Sequence, residues 1–176
     1  MEGKGRITGH TGLLALIGSP VGHSGSPAMY NYSFEKLGLD YAYVAFDIKV
    51  EEVKAALDAM RLFHMRGCNV TMPCKTEAAK YMDELSPAAR IIGAVNTIVN
   101  EDGKLIGHMT DGEGFVGNLR DHGIEIKGKK ITVAGGGGAA TAIQVQCALD
   151  GAREISIFNI KDDFFERTLE TAEKIR

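Results

Sequence analysis

Three short stretches of this sequence carry side chains that together could move a proton on a hydroxylated ligand. The densest is Asn69-Val70-Thr71-Met72-Pro73-Cys74-Lys75, followed by Ala94-Val95-Asn96-Thr97 and Met109-Thr110-Asp111-Gly112. Each places polar side chains just after a short β-rich run. A lysine, an asparagine and an aspartate on strand-end loops, with hydroxyls beside them, suit a small polyhydroxylated acid. They could also share a proton. A fourth stretch, Val133-Ala134-Gly135-Gly136-Gly137-Gly138-Ala139-Ala140, reads as a dinucleotide turn between strand and helix.

The elements that must position these residues alternate between strand and helix patterns. Gly12 to Ile17 is an apolar run that ends in the turn-rich Gly18-Ser19-Pro20-Val21-Gly22-His23-Ser24-Gly25-Ser26. Ser26-Pro27 starts a helix, with serine as cap and proline at the first helical position, and Gly38 ends it. Tyr41 to Phe46 is a strand. Val53, Leu57 and Met60 stand at i, i+4, i+7 and make Glu51 to Leu62 an amphipathic helix. Gly67 to Thr71 is a third strand. Pro73 opens the next helix, which puts Lys75 in its first turn, and Ser86-Pro87 repeats the helix-start signal. Val95 to Asn100 and Lys104 to His108 flank Glu101-Asp102-Gly103, a hairpin.

The pattern changes character after Asp111. Gly112 to His122 is a helix with Phe115, Val116 and Leu119 on one face, closed by Gly123. The strand Ile131 to Ala134, the glycine run, a helix to Leu149, the stop Gly151 and the strand Glu154 to Phe158 form one βαβ unit. The expected fold class is therefore α/β, with a domain over 1–111 and the first part of a dinucleotide-binding domain over 112–176.

Composition narrows the function classes. Hydrophobic residues make up 44% and charged residues 24% of 176 positions, an ordinary globular mix. A formal net charge of −3 leaves no electrostatic footprint for nucleic acid or an anionic membrane. No apolar run approaches the roughly 20 residues of a membrane span. Met1 to His10 lacks a continuous apolar core, so no secretory leader is expected. Cys68, Cys74 and Cys147 are odd in number and form no CxxC pair, which argues for reduced thiols in a cytoplasm; no metal site is expected.

Gly135, Gly137 and Ala140 meet the G-x-G-x-x-G/A pattern, in which glycines allow a tight turn and close approach to a pyrophosphate on the helix N-terminus. A flexible linker is the bland alternative, and the strand, helix, second strand and trailing acid outweigh it. The second strand ends at Asn159, with Asp162 and Asp163 just beyond. An acid about 20 positions after the glycines binds adenosine ribose hydroxyls. Capping the helix from Phe164 onward is the competing role, and one carboxylate could do both.

In order along the chain, Gly18 to Pro27, Asn69 to Lys75, Gly93-Ala94-Val95-Asn96-Thr97, Thr110-Asp111-Gly112 and the Gly135 run resemble the shikimate and quinate dehydrogenase family. The resemblance covers nearly the whole chain from Gly12. It implies a substrate domain followed by a partial Rossmann-like domain. It also implies reversible NAD(P)-linked oxidation of shikimate to 3-dehydroshikimate, or of quinate to 3-dehydroquinate. It implies that Ser24 and Ser26 bind the substrate carboxylate, that Asn69 and Thr71 line the pocket, and that Lys75, Asn96 and Asp111 hold the ring hydroxyls. Gly135, Gly136, Gly137, Gly138, Ala139, Asn159, Lys161 and Asp162 are the expected cofactor residues. A homodimer is left open.

Lys75 is the expected catalytic residue and Asp111 its partner: an ammonium beside a carboxylate can share the hydroxyl proton and stabilise charge on the oxygen. Each has a plainer role available, Lys75 as a solvated helix-face lysine and Asp111 as a helix cap. Ser24, Ser26 and Asn96 could be turn or cap residues, and His23 reads as a loop histidine. Cys74, next to Pro73 and Lys75 at a helix start, is expected to be a moderately reactive thiol, with packing as the alternative. Against the family pattern, Gly136 replaces alanine, a change expected to leave the loop permissive. Ile160 replaces an arginine for the NADP 2′-phosphate. With Asp162 nearby, this predicts NAD preference with some NADP use. The family pattern also runs on beyond Arg176, so residues 1–176 read as part of a longer polypeptide. The alternative is a shikimate- or quinate-binding fragment or regulatory module without turnover.

Overall fold

A computed structural model of the chain describes residues 7–176; of the Met1 to His10 stretch, Met1–Arg6 lie outside the described residues. The elements run β1 (Gly12–Gly18), α1 (Ser26–Leu37), β2 (Tyr41–Asp47), a 3₁₀ turn (Val50–Glu52), α2 (Val53–Leu62), β3 (Gly67–Val70), α3 (Lys75–Ala79) and β4 (Glu84–Leu85). There follow α4 (Pro87–Ile92), β5 (Thr97–Glu101), β6 (Lys104–His108), α5 (Asp111–Asp121), β7 (Lys130–Ala134), α6 (Gly138–Leu149), β8 (Glu154–Phe158) and α7 (Phe165–Lys174). This is the α/β class expected. The chain divides into two compact units, one running to Glu84 and taking in Val95–Gly107, the other made of Leu85–Ala94 and His108–Arg176.

The first unit is built on a six-stranded sheet in the order β2-β1-β3-β5-β6-β4. β2, β1 and β3 are parallel, and β3 pairs antiparallel with β5. Ala15, Leu16 and Ile17 of β1 are all buried, as a central strand covered on both faces requires. On one face α2 buries Val53, Leu57 and Met60, the positions its periodicity marked. On the other, α1 packs through aromatic rings: Tyr30 stacks on Tyr43 at 4.5 Å and Phe34 meets Tyr41 at 5.5 Å. The Asn31 amide donates to the Tyr43 carbonyl (2.7 Å) and accepts from its N–H (3.0 Å), covering part of the edge strand β2. Asp102 and Gly103, both at positive φ, make the two-residue turn between β5 and β6.

In the second unit β7 and β8 pair in parallel register, Lys130 opposite Glu154 through Ala134 opposite Phe158, with α6 as the crossover. Val116, Ile126 and Cys147 form its core with Leu119, Ile131 and Ile155 packed around them. Phe115 does not join that core; it is 41% exposed. The backbones of α5 and α6 meet at Gly112, where a Cβ would collide with the Ala142 carbonyl. No helix among the described residues is long and apolar enough to cross a membrane.

Candidate active site

The polar residues of the first unit gather where the parallel strands β1 and β3 end. The Thr71 N–H donates to the Ile17 carbonyl (2.9 Å) and the Ser19 N–H to the Met72 carbonyl (3.0 Å), which ties the two strand-end loops together. Gly18 makes this approach possible. At φ 151° it adopts a backbone that side chains avoid, and a Cβ there would lie 2.5 Å from Thr71 Cγ2 and 2.8 Å from the Met72 carbonyl. The loop after β1 then carries Ser24 and Ser26, both half-buried, with Ser24 Oγ accepting from the Ser26 N–H at 3.2 Å. Ser26 is the first residue of α1 and Gly25 the cap position, so the capping serine expected at 26 is displaced by one.

Lys75 is the first residue of α3 and half-buried. Its carbonyl accepts from the Val95 N–H (3.0 Å), and the Asn96 carbonyl accepts from the Val70 N–H (2.8 Å). These two bonds bring Asn96 to the end of β3. Asn96 precedes β5, which begins at Thr97; it was expected inside a strand. Its backbone is spent on the end of β3, which moves it into the loop where an amide side chain is useful.

Asn69 has both ends of its amide engaged. Tyr43 donates its phenol to Oδ1 at 2.7 Å, while Nδ2 donates to Thr97 Oγ1 (3.2 Å) and the Asn96 carbonyl (3.4 Å). Burial, with Tyr30 and Cys68 adding to it, pushes the Tyr43 phenol pKa up, so Tyr43 remains a donor and fixes which way the amide points. Sequence reasoning missed Tyr43 and gave Thr97 no role. A tyrosine in an aromatic strand carries no local mark of a partner in another strand.

Cys74 departs from expectation. The side chain is fully buried, its thiol donates to the Ile48 carbonyl at 3.6 Å, and burial together with Glu51 and Glu52 raises its pKa. The thiolate that Pro73 and Lys75 suggested is therefore disfavoured.

The remaining residues belong to the second unit. Asp111 is exposed and is the first residue of α5, with Thr110 at the cap. The glycine loop joins β7 to α6. Gly135 has φ 111° and donates to the Phe158 carbonyl at 2.7 Å, and Gly137 caps α6 in extended conformation. Gly136 is less permissive than expected: a Cβ there would collide with Thr168 Oγ1 and lie 2.8 Å from Asn159 Nδ2. Asn159 sits at the end of β8 and Lys161 Nζ lies 5.8 Å from the Phe165 ring. Asp162 Oδ1 accepts from Asn159 Nδ2 (3.2 Å) and from the Phe164 N–H (3.0 Å). Among the described residues no group of three or more His, Cys, Asp or Glu could hold a metal ion.

Comparison with known proteins supplies the context for this geometry. Residues 16–98 match the family described as the shikimate dehydrogenase substrate binding domain. The NADP(+) shikimate dehydrogenase of Listeria monocytogenes is 56% identical over 170 residues, covering 97% of this chain and 58% of that protein. The crystal structure of shikimate 5-dehydrogenase from Listeria monocytogenes, in complex with shikimate and NAD, superposes with a TM-score of 0.94 at 56% identity over 97% of this chain and 59% of that one. A second shikimate dehydrogenase, in complex with NADP+, gives 0.85 at 44% identity over 96% and 58%. The chain thus spans under three-fifths of the length of these relatives. Their names overturn the expected NAD preference: the curated relatives are called NADP(+) enzymes and one solved neighbour holds NADP+. The physical weakness of that expectation lies in Asp162, whose Oδ1 holds the turn into α7 and so gives no independent sign of a ribose ligand. Two α/β units with parallel strands at their centres, a lysine and two asparagines gathered at the end of β3, and these likenesses over nearly its whole length agree: the chain belongs to the shikimate dehydrogenase family.

Proposed function

We propose that the protein catalyses the reversible NADP-linked oxidation of shikimate to 3-dehydroshikimate, with quinate as the other substrate to be tested. The gathering of Thr71, Lys75 and Asn96 around the end of β3, braced by the Tyr43–Asn69–Thr97 chain, carries this reading. Short polar groups and one cation at a strand end suit a hydroxylated ring bearing a carboxylate.

In this reading Ser24 and Ser26 bind the carboxylate, while Asn69 and Thr71 shape the pocket wall. Asn96 and Asp111 hold ring hydroxyls. NADP+ supplies the hydride acceptor. Lys75 takes the hydroxyl proton as the carbinol is oxidised, with Asp111 as its partner, and in the reverse direction its ammonium stabilises charge on the carbonyl oxygen. Gly135 to Ala139 bind the diphosphate through backbone N–H groups, and Asn159, Lys161 and Asp162 lie along the adenosine end. Residues 1–111 serve the substrate and 112–176 the cofactor. A cytoplasmic setting is part of the reading, supported by three cysteines that are all free and buried.

The test is NADPH formation by the full-length protein with shikimate and, separately, with quinate. Turnover on shikimate that is lost in Lys75→Ala supports the assignment. Binding of shikimate without any turnover would leave a binding module in place of an enzyme.

A further inference from the structure

The glycine loop is held from inside the second unit by two side chains of α6. Gln144 Nε2 donates to the Gly135 carbonyl at 3.0 Å, and the Thr141 hydroxyl donates to the Gly136 carbonyl at 3.3 Å. The next carbonyl, that of Gly137, accepts from the Thr141 N–H at 2.9 Å, at the start of the helix. Three successive carbonyls are thus anchored on one element. In a trans peptide the C=O and the following N–H point in opposite directions. Anchoring these carbonyls therefore turns the N–H groups of Gly136, Gly137 and Gly138 away from α6 side chains. Among the described residues, none of the three has a protein acceptor. Consecutive N–H groups freed at a helix N-terminus make a donor set for an anion.

Four glycines do not fix this arrangement by themselves, because glycine tolerates many peptide orientations at little steric cost. The anchors do. Gln144 and Thr141 are 0% and 1% exposed, so water does not compete for either bond. Gln144 shows a second feature: its Oε1 is buried without a hydrogen-bond partner among the described residues. An unpartnered buried oxygen is destabilising, and a leucine or methionine of similar size would avoid it. Glutamine is a poor choice here for packing, and its donor end accounts for its presence.

We propose that Gln144 is a positioning residue for the glycine loop. Its buried amide fixes the Gly135–Gly136 peptide so that backbone N–H groups face the diphosphate of a dinucleotide, and Thr141 fixes the next peptide. This rests on the reading of the loop as the NADP site.

The test uses the full-length protein, with NADPH binding followed by fluorescence and steady-state kinetics against NADP+ and shikimate. In Gln144→Leu, the NADPH Kd and the KM for NADP+ rise about tenfold, the equivalent of one lost buried hydrogen bond. Both kcat and the KM for shikimate stay within about twofold, and the melting temperature holds or rises because the unpartnered oxygen is gone. Thr141→Val shifts the same two readouts in the same direction, and Thr141→Ser, which keeps the hydroxyl, restores them. A role in packing alone would lower the melting temperature and leave NADPH binding unchanged; that result overturns the proposal. Should Gln144→Leu fail to fold, the Thr141 pair decides. If the wild-type protein does not bind NADPH, the reading of the loop fails and the positioning role with it. If the wild type binds and the variants bind equally well, the positioning role alone is refuted.

Discussion

The ends of β3 and β7 share a geometry and differ in the groups they offer. Both are parallel strands that run into a loop and then a helix, but β3 ends in side chains and β7 ends in bare backbone. Around β3, the backbones of Thr71, Lys75 and Asn96 are tied by bonds from neighbouring strands and loops, and the Asn69 amide is oriented by a buried tyrosine. Around β7, Gly135 to Gly138 offer only peptides, whose carbonyls are anchored by Gln144, Thr141 and the first bond of α6. A site that must act on a hydroxyl needs groups that exchange protons; a site that only holds a diphosphate needs donors that do not titrate. The two loops should therefore fail differently when disturbed, in turnover at one and in cofactor affinity at the other.

The largest effect is expected at Lys75. Lys75→Ala should lower kcat by ~10²–10⁴ while changing the KM for shikimate much less, because a proton-transfer group acts mainly in the transition state. Thermal stability should barely move. A variant with near-normal kcat would erase the distinction between the two loops, since β3 would then also be a binding loop only.

Gly136→Ala probes the other side. Its Cβ would meet Thr168 Oγ1 and Asn159, so the expected cost is ~1–3 kcal/mol, together with weaker NADPH binding. The same change in a Thr168→Ala background should cost clearly less, because the two positions share the contact. Additive effects would mean that the loop absorbs the methyl without touching α7.

How far the sequence alone carries differs between these regions for a physical reason. Strand and helix positions, the α2 face Val53-Leu57-Met60 and the βαβ order follow from periodicity and capping, which are local. The glycine turn was legible because backbone geometry restricts which residues fit. The β3 site was legible as residue types but not as contacts. Tyr43 reaching Asn69, Asn96 leaving β5 and Cys74 sinking into the core all depend on partners 26 residues away. Gln144 escaped notice for the same reason: within an apolar helix pattern it looks like a surface glutamine. Gly136 was misjudged because its neighbour Thr168 arrives only with α7.

A smaller effect should follow Tyr43→Phe, which removes the donor to Asn69 Oδ1 and frees the amide to turn. The expected loss is about 1 kcal/mol of stability, with the KM for shikimate raised severalfold and NADPH binding unchanged. Asn69→Ala should shift the same parameters further in the same direction. If Tyr43→Phe altered NADPH binding instead, the two loops would not be independent in function.

The thiols should show no effect at neutral pH and a defined one in alkali. Cys74 is buried with its pKa raised, and burial pushes the Cys68 thiol up to about 12 from an ordinary 9.0. Iodoacetamide should therefore label native Cys74 slowly and equally with or without shikimate; protection by shikimate would place Cys74 at the substrate pocket and contradict its burial. The pH sign follows from which state holds the proton. Above pH 9 an unfolded thiol ionises while buried Cys68 stays protonated, so the folded state binds more protons and stability falls as pH rises. The contribution is fully present below pH 9 and is lost towards pH 12, at about 1.4 kcal/mol per pH unit for one thiol. Tyrosines and lysines titrate in the same window, so the informative quantity is the difference between wild type and Cys68→Ala. Urea unfolding at about pH 8 and about pH 10.5 should show a shallower decline in the variant, by close to one proton. Equal declines would mean that water already reaches Cys68 in the folded sheet, and that the core beneath the β3 site is looser than its burial indicates.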